Sequence, residues 1–112
     1  MSIFFPEKYY GNIEYKVVFN TKNILKIQKY TTQMNFRINE GNGEAIYIIG
    51  INDYGKVIGL TDKQISDTII ILRHMTSKIN ANIKFIMNCN FKDTKFLIIK
   101  IFKDDFEEQL LF

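Results

Sequence analysis

Residues 37–60 read RINEGNGEAIYIIGINDYGKVIGL and decide the fold, because glycine turns join the end of a helix to two strands within them. The Gly41 to Gly43 stretch tolerates the left-handed backbone that helix ends and tight turns require. Glu44 to Ile51 predicts one strand, and Lys56 to Leu60 predicts a second strand after the turn-forming Asn52 to Gly55. We therefore expect a β-hairpin at the centre of the domain.

A strand and an amphipathic helix are predicted before this hairpin. Ile13 to Phe19 alternates apolar and polar residues for most of its length, as a half-buried strand does. Residues 22–39 change to a helical period, with an apolar face at Ile24, Ile27, Met34 and Ile38. The opposite face is predicted to carry a polar and basic stripe of Lys22, Lys26, Lys29, Gln33 and Arg37.

A second helix and two strands are predicted after the hairpin. Thr61 and Gln64 have the spacing of a capping box, and the helix that follows is expected to stop near Asn80. Residues 83–91 alternate, with the apolar residues Ile83, Phe85, Met87, Cys89 and Phe91 on one side, and predict a strand that buries this side. Residues 94–103 are apolar on both faces and predict another strand. The order is β-α-β-β-α-β-β. We expect a single two-layer α+β domain whose mainly antiparallel sheet carries both helices on one face.

Size and composition bound the architecture. The 112 residues, 46% of them hydrophobic, suffice for one core, so residues 1–112 are predicted to form a single domain. We also expect the protein to be a monomer. No apolar run reaches the roughly 20 residues that cross a bilayer, and a single cysteine fits a reducing cytoplasm. Residues 104–112 form an acidic and apolar C-terminal tail, either a docked helix or an anchor on a partner.

The charge is unevenly distributed. Four of the 12 acidic residues lie in residues 104–112, which contain none of the 15 basic residues, so residues 1–103 carry a formal charge of +7. Such a charge favours a polyanionic partner, although many ordinary domains are equally basic.

Catalytic and cofactor sites are not predicted. His74 is the only histidine and lies far in sequence from Cys89, so no nucleophile and base are paired. The Gly41 to Glu44 turn lacks the lysine and Ser/Thr of a phosphate-binding loop and leads into a strand. We expect no enzyme activity, no cofactor and no small-molecule substrate.

Grouped carboxylates leave one enzymatic alternative open. Glu14, Glu40, Glu44 and Asp53 surround the predicted hairpin, and such groups can hold a divalent metal for cleavage of RNA. Each also has an ordinary structural role at a strand start, a turn or an ion pair. A metal-dependent nuclease is therefore the alternative to a binding domain, which would need no metal.

The basic stripe is the strongest positive signal for a ligand. Several cations on one face are what phosphate binding needs, and Gln33 among them could contact sugar or base. A solvated helix face is the structural alternative. Tyrosines in segments that are not obviously buried add possible stacking surfaces for RNA bases: Tyr9, Tyr10, Tyr15 and Tyr54.

Several short segments, in order, carry a family resemblance. Residues 11–16, 32–47, 49–55 and 58–60 resemble the N-terminal domain of the elongation-factor-like GTP-binding proteins of eukaryotes. In that family a G domain follows, whereas residues 1–112 contain no phosphate-binding loop. As an accessory domain standing alone, the chain is similar to the ribosome dormancy factors of microsporidia.

The resemblance implies a ribosome-binding protein. It implies occupancy of the tRNA exit site, with contacts to rRNA and ribosomal proteins of both subunits, so that tRNA cannot enter. The Lys22 to Arg37 face is then expected to meet rRNA phosphates. Closer contacts are expected from the residues in or beside the matched segments that are polar or let the backbone approach: Asn12, Tyr15, Lys16, Gln33, Gly41, Asn42, Gly43 and Glu44.

Two other interpretations stay open on the sequence. The hairpin and its acidic positions also resemble the Schlafen-like fold, some members of which cleave RNA, and this likeness implies a role for Glu40, Glu44 and Asp53. A protein-protein interaction module of the translation apparatus is the third. Its signal is the apolar end of the chain at residues 110–112.

Overall fold

The computed structural model describes residues 2–104, which form two helices and a four-stranded sheet. The predicted C-terminal tail, residues 104–112, lies almost wholly outside the described residues. The elements in chain order are β1 (Ile13–Lys16), α1 (Ile24–Glu40), β2 (Glu44–Ile49), α2 (Asp62–Lys78), β3 (Asn82–Phe91) and β4 (Thr94–Phe102).

The sheet has the order β1-β2-β4-β3. β1 pairs with β2 in parallel through the crossover helix α1, while β2 with β4 and β3 with β4 are antiparallel. The predicted α+β class and mainly antiparallel sheet are confirmed. The returning arm of the central hairpin is shorter than predicted, because Lys56 to Leu60 contributes only two isolated bridges, Val57 to Ile51 and Lys56 to Ser2.

Both helices pack on one face of the sheet, as predicted, and enclose the main core there. Odd-numbered residues of β2 and β4 face the helices, because side chains alternate along a strand. The core contains Met34, Ile38, Leu72 and Met75 from the helices and Tyr47, Ile49, Leu97 and Ile99 from the strands, each at most 1% exposed. Ile24 is an exception to the predicted apolar face: it begins α1 and is 70% exposed.

The opposite face of the sheet is covered at one end only. There Phe4 packs edge-on against Phe96 and tilted against Tyr15, within a smaller cluster that includes Ile48 and Ile51. We call the side of the sheet away from the helices the open face.

A bulge decides which side of β3 meets the helices. The register with β4 shifts between Ile83 and Phe85, so Lys84 is an extra residue. Ile83 and Ile86 consequently both pack against the helix-side core. Phe85 and Met87, predicted to line the buried side, lie on the open face.

The two glycines after α1 are needed for different reasons. Asn42 and Gly43 adopt the predicted positive φ, 53° and 103°, and the N–H of Gly43 donates to the carbonyl of Ile38 at 2.9 Å, which closes a Schellman turn. Gly41 has φ −102°, open to any residue. Instead, a Cβ on Gly41 would lie 1.9 Å from the Glu44 carbonyl oxygen and 2.6 Å from Asn12 Cβ.

The start of α2 follows the sequence closely. The Thr61 hydroxyl accepts the N–H of Gln64 at 3.1 Å, and the Gln64 side chain accepts the N–H of Thr61 at 2.8 Å. The predicted capping box is confirmed. Asn80, predicted to stop the helix, has a left-handed φ of 55° just after the cap at Ile79.

Gly41→Ala is expected to lower the free energy of unfolding by about 3 kcal/mol, because the new methyl group meets backbone that cannot move without opening the turn. Gly11→Ala is the matched control: Gly11 has φ +86° but no heavy atom within 4 Å of an added Cβ. It should lose about 1 kcal/mol from backbone strain alone. Urea unfolding followed by circular dichroism measures both. An equal loss in the two variants would contradict a close approach at Gly41.

Candidate nucleic-acid interface

A buried guanidinium holds the chain that enters β1 against helix α1. Arg37 is 1% exposed, and its Nε donates to Glu14 Oε1 at 2.8 Å. Nη1 donates to the carbonyls of Tyr10 and Gly11, each at 2.9 Å, and Nη2 to the carbonyl of Lys8 at 2.8 Å. The fork geometry of arginine suits several acceptors at once, so one side chain fixes the backbone of residues 8–11.

Two carboxylates complete this cluster. Glu14 is 5% exposed and also accepts Gln33 Nε2 at 3.3 Å, while Glu7 Oε2 lies 3.7 Å from Arg37 Nη2 and accepts the N–H of Tyr15. Burial raises the pKa of Glu7 above its ordinary value, with the nearby Glu14 charge adding to the rise; the Tyr15 N–H and Arg37 oppose it.

The predicted role of Arg37 in binding phosphate is wrong. Met34, Arg37 and Ile38 are the buried residues of α1, since positions three and four apart share a helix face. Arg37 therefore points inward with the apolar stripe. A buried guanidinium that makes four hydrogen bonds inside the fold is not accessible to an rRNA phosphate.

Most of the other predicted contact residues are also used inside the fold. Tyr15 is 8% exposed and its hydroxyl donates to the Phe5 carbonyl at 2.7 Å, so it offers no stacking face. Asn12 Nδ2 donates to the Glu44 carbonyl at 3.2 Å. Lys16 Nζ lies 4.4 Å from the centroid of the Tyr30 ring, a cation-π contact.

The Gly41 to Glu44 turn is split between packing and surface. Gly43 is buried, and Asn42 is exposed. Glu44 accepts Lys100 Nζ at 2.8 Å, and Lys84 Nζ lies 3.9 Å away. The hydrogen bond from Lys100 lowers the pKa of Glu44, with the charges of both lysines contributing. The Glu44 carboxylate is thus paired with lysines of the sheet.

Three lysines of the predicted stripe remain available, and we call Lys22, Lys26 and Lys29 the lysine face. Each is exposed, and none forms an ion pair with any residue between positions 2 and 104. Asn23 caps the helix beside them: its Oδ1 accepts the N–H groups of Leu25 and Lys26 at 3.0 and 3.3 Å. The cap fixes the first turn of α1, which carries Lys26, with Lys29 one turn further along; Lys22 lies just before the cap, outside the helix.

Aromatic side chains project from the segment that Arg37 fixes. Tyr9 is 88% exposed and packs edge-on against Tyr10, with ring centroids 5.4 Å apart. Lys8 Nζ lies 5.6 Å from the centroid of the Tyr10 ring. Tyr10 also lines a cleft of about 350 Å³ with Phe5 and Ile13. Two of the predicted stacking residues, Tyr9 and Tyr10, are therefore placed for contact, as is Tyr54 at a separate turn.

The carboxylates predicted as a possible metal site do not come together. Within residues 2–104, no three His, Cys, Asp or Glu side chains are close enough to hold a metal ion. Glu40 Oε1 accepts the N–H of Gly11 at 3.1 Å, and Glu14 and Glu44 are bonded as described. His74 is exposed on α2, and burial raises the pKa of the half-buried Cys89 thiol. Over the same part of the chain, no helix is both long and apolar enough to cross a membrane.

Comparison with known proteins relates the chain to part of a GTP-binding protein. GTP-binding protein 2 of Mus musculus and of Homo sapiens is 37% identical over 78 residues, 70% of this chain and 13% of theirs. Uncharacterized protein R625 of Acanthamoeba polyphaga mimivirus is 37% identical over 110 residues, 93% of this chain and 59% of that protein. No protein-family model and no solved structure matches the chain.

The matches cover only part of the length of each relative. The chain spans about an eighth of the length of GTP-binding protein 2 and about three fifths of the mimiviral protein. The resemblance to a domain of GTP-binding proteins is thus supported at the level of one shared segment.

Removing the buried guanidinium is expected to destabilise the fold strongly. Arg37→Met should lower the free energy of unfolding by about 3–5 kcal/mol, since it leaves Glu14 and three carbonyls without their donors. Arg73→Met is the matched control, because Arg73 is exposed on α2 and should change stability by no more than about 0.5 kcal/mol. Urea unfolding measures both variants, and a loss below about 1 kcal/mol in Arg37→Met would contradict a central role.

The raised pKa of Glu7 predicts a pH dependence of stability. A carboxyl group that holds its proton more tightly when folded stabilises the fold below the unfolded pKa, near 4.5, and this contribution is lost as pH rises through the folded pKa. Glu7→Gln keeps an acceptor for the Tyr15 N–H and does not titrate. The difference in unfolding free energy, wild type minus Glu7→Gln, should therefore fall between pH 4.5 and neutrality. A difference that stays constant with pH would contradict a raised pKa of Glu7 in the folded protein.

Proposed function

We propose that this chain is a non-enzymatic ribosome-binding domain that occupies the tRNA exit site and keeps idle ribosomes inactive. The observation that carries the proposal is the lysine face. Lys22, just before the Asn23 cap, and Lys26 and Lys29 in the first turns of α1 are exposed cations that form no ion pair with residues 2–104. Unpaired cations on one surface are what binding to a phosphate backbone requires.

The rigidity of residues 8–11, which are held at the C-terminal end of α1, supports RNA as the ligand. Tyr9 and Tyr10 extend from backbone that the Arg37 guanidinium fixes, so little side-chain and loop order is lost when a ring stacks on a base. Lys8 beside Tyr10 supplies a cation for the adjoining phosphate. Lysines and stacking rings together favour RNA with unpaired bases over a smooth duplex.

The relatives support a link to GTP-binding proteins, and the family resemblance extends that link to translation. The matched part of GTP-binding protein 2 is a segment whose counterpart here contains no phosphate-binding loop, and the chain resembles the N-terminal domain of elongation-factor-like GTP-binding proteins. A domain of this kind acts by filling space that tRNA needs. Occupancy needs no catalytic group.

Charge reversal of the lysine face is expected to abolish ribosome binding. In Lys22→Glu/Lys26→Glu/Lys29→Glu, co-sedimentation with 80S ribosomes should be lost at physiological salt. For single Lys→Gln variants, the slope of log affinity against log salt should shrink by about 0.7–0.9 per phosphate contact removed. Sucrose-gradient sedimentation and fluorescence anisotropy at several salt concentrations measure these effects.

The control is a second triple variant with the same change in net charge. Lys56, Lys78 and Lys92 are also exposed and form no ion pair with the described residues, and they lie away from α1. Reversing them should leave most of the binding intact. Equal losses in both triple variants would mean that net charge, and not the lysine face, governs binding.

Competition identifies the site on the ribosome. Deacylated tRNA, which fills the exit site, should displace the wild-type protein from purified 80S ribosomes, and the protein should slow translation in an extract. Binding that deacylated tRNA leaves unchanged would reject the exit site while keeping ribosome binding. Absence of binding to ribosomes at low salt would reject the proposal altogether.

A further inference from the structure

The long strand β3 is an edge of the sheet that carries little of the usual protection. Among residues 2–104 it pairs only with β4, since the strand order ends on it. From Phe85 to Phe91 its sequence contains neither proline nor a charged side chain. Exposed edges in natural proteins are normally blocked by charges, prolines or bulges, because their free backbone groups pair with other chains. Here the bulge and Lys84 lie at one end of the strand only.

The direction of the backbone groups in β4 follows from its other contacts. The carbonyl of Lys95 accepts the N–H of Leu60 at 2.9 Å, and the N–H of Lys103 donates to the carbonyl of Gly43 at 2.9 Å. Both lie on the side of β4 away from β3. Because backbone groups alternate in direction along a strand, odd-numbered residues of β4 point away from β3 and even-numbered ones point toward it.

The free backbone groups of β3 follow from the register. Met87 lies opposite Ile98, an even-numbered residue, and so bonds to β4. The residues between such pairs direct their N–H and carbonyl groups outward, into the space beside the sheet. These residues are Ile86, Asn88 and Asn90. Three consecutive outward positions give a template long enough for another strand.

Space for the side chains of an added strand exists on the helix side. A cleft of about 820 Å³ lies between the end of α2 and the start of β3, and Arg73, Ser77 and Asn82 are among its lining residues. A second cleft of about 350 Å³, which includes Ser66 and Asn88, continues along the same edge. Among the described residues, Arg73 forms no ion pair and no acidic residue lines the larger cleft, whereas Asp62, paired with Lys95, lines the second cleft. The larger cleft beside Arg73 therefore favours an acidic side chain.

The open face offers apolar contacts on the other side of the same edge. Phe85 is 40% exposed and Met87 49%, and both project from β3 onto the open face. Ile98 and Ile46 continue the apolar surface inward, half-buried. Alternate side chains of an added strand would contact this surface, since successive residues of a strand point to opposite faces.

We propose that the β3 edge binds an extended protein segment by strand addition, with acidic residues of the partner on the α2 side alternating with apolar residues on the open face. The outward N–H and carbonyl groups of Ile86, Asn88 and Asn90 form the backbone hydrogen bonds. Arg73 receives the acidic side chain, and Phe85 with Met87 receives the apolar ones. This surface is separate from the lysine face, so the proposal stands independently of ribosome binding.

A labelled model peptide tests this binding mode on the full chain. The probe is a fluorescein-labelled peptide of about seven residues, within the usual length of a strand, in which glutamate alternates with valine. Saturable binding should protect the amides of Ile86, Asn88 and Asn90 from hydrogen exchange, while Met87, already bonded to β4, changes little. Asn88→Pro removes an outward donor without touching the pairing with β4 and should weaken binding about tenfold.

A charge exchange provides the second readout and does not depend on proline. Arg73→Glu should weaken the glutamate peptide about threefold and should strengthen a peptide in which lysine replaces glutamate. A scrambled peptide without alternation should bind neither protein. Equal affinities for wild type and Asn88→Pro, or no saturable binding at millimolar peptide, would overturn the proposal.

Two other occupants of the edge have distinct signatures. Protection of the three amides that grows with protein concentration in the absence of peptide would identify a second copy of the chain. Protection in the dilute free protein that disappears on deletion of residues 105–112 would identify the chain's own terminus. Either result would replace the proposed partner segment.

Discussion

The fold depends on the burial of the Arg37 guanidinium. Its hydrogen bonds to Glu14 and to the carbonyls of Lys8, Tyr10 and Gly11 join helix α1 to the chain that leads into β1. A charge of this kind is stable in the interior only when its donors are satisfied together, so the acceptors and the guanidinium order one another. Because β1 pairs only with β2, the short strand relies on this cluster for its position.

The same cluster explains which parts of the binding surface could be predicted. Both helices, four of the five predicted strands and the capping box of α2 follow from local sequence patterns and were found where the sequence placed them, whereas Lys56 to Leu60 forms only isolated bridges. The partner of Arg37 is Glu14, 23 residues earlier in the chain, and no local pattern reveals such a pairing. A missed signal was the position of Arg37 three residues after the buried Met34 and beside the buried Ile38, which places it on the inner face. The lysine face had no such partner and was predicted correctly as exposed.

Long-range contacts also account for the remaining differences. The glycines after α1 were expected to supply a left-handed backbone; Gly43 does so together with Asn42, whereas Gly41 instead makes room for Asn12 and the Glu44 carbonyl. In β3, alternation alone placed Phe85 and Met87 inward, and the bulge beside Lys84 reversed the assignment. Both outcomes depend on a neighbouring segment distant in sequence. Sequence patterns therefore identify the elements more reliably than the side of each element that faces solvent.

The topology separates the two proposed binding surfaces. Helix α1 packs on β2, toward the β1 edge, whereas α2 packs on β3 at the other edge of the sheet. A ligand on the lysine face therefore leaves the β3 edge free, and the two can be occupied at once. A domain with two such binding surfaces can link an RNA surface to a protein segment held nearby. Each contact then raises the effective concentration of the other, so two weak interactions suffice for stable attachment.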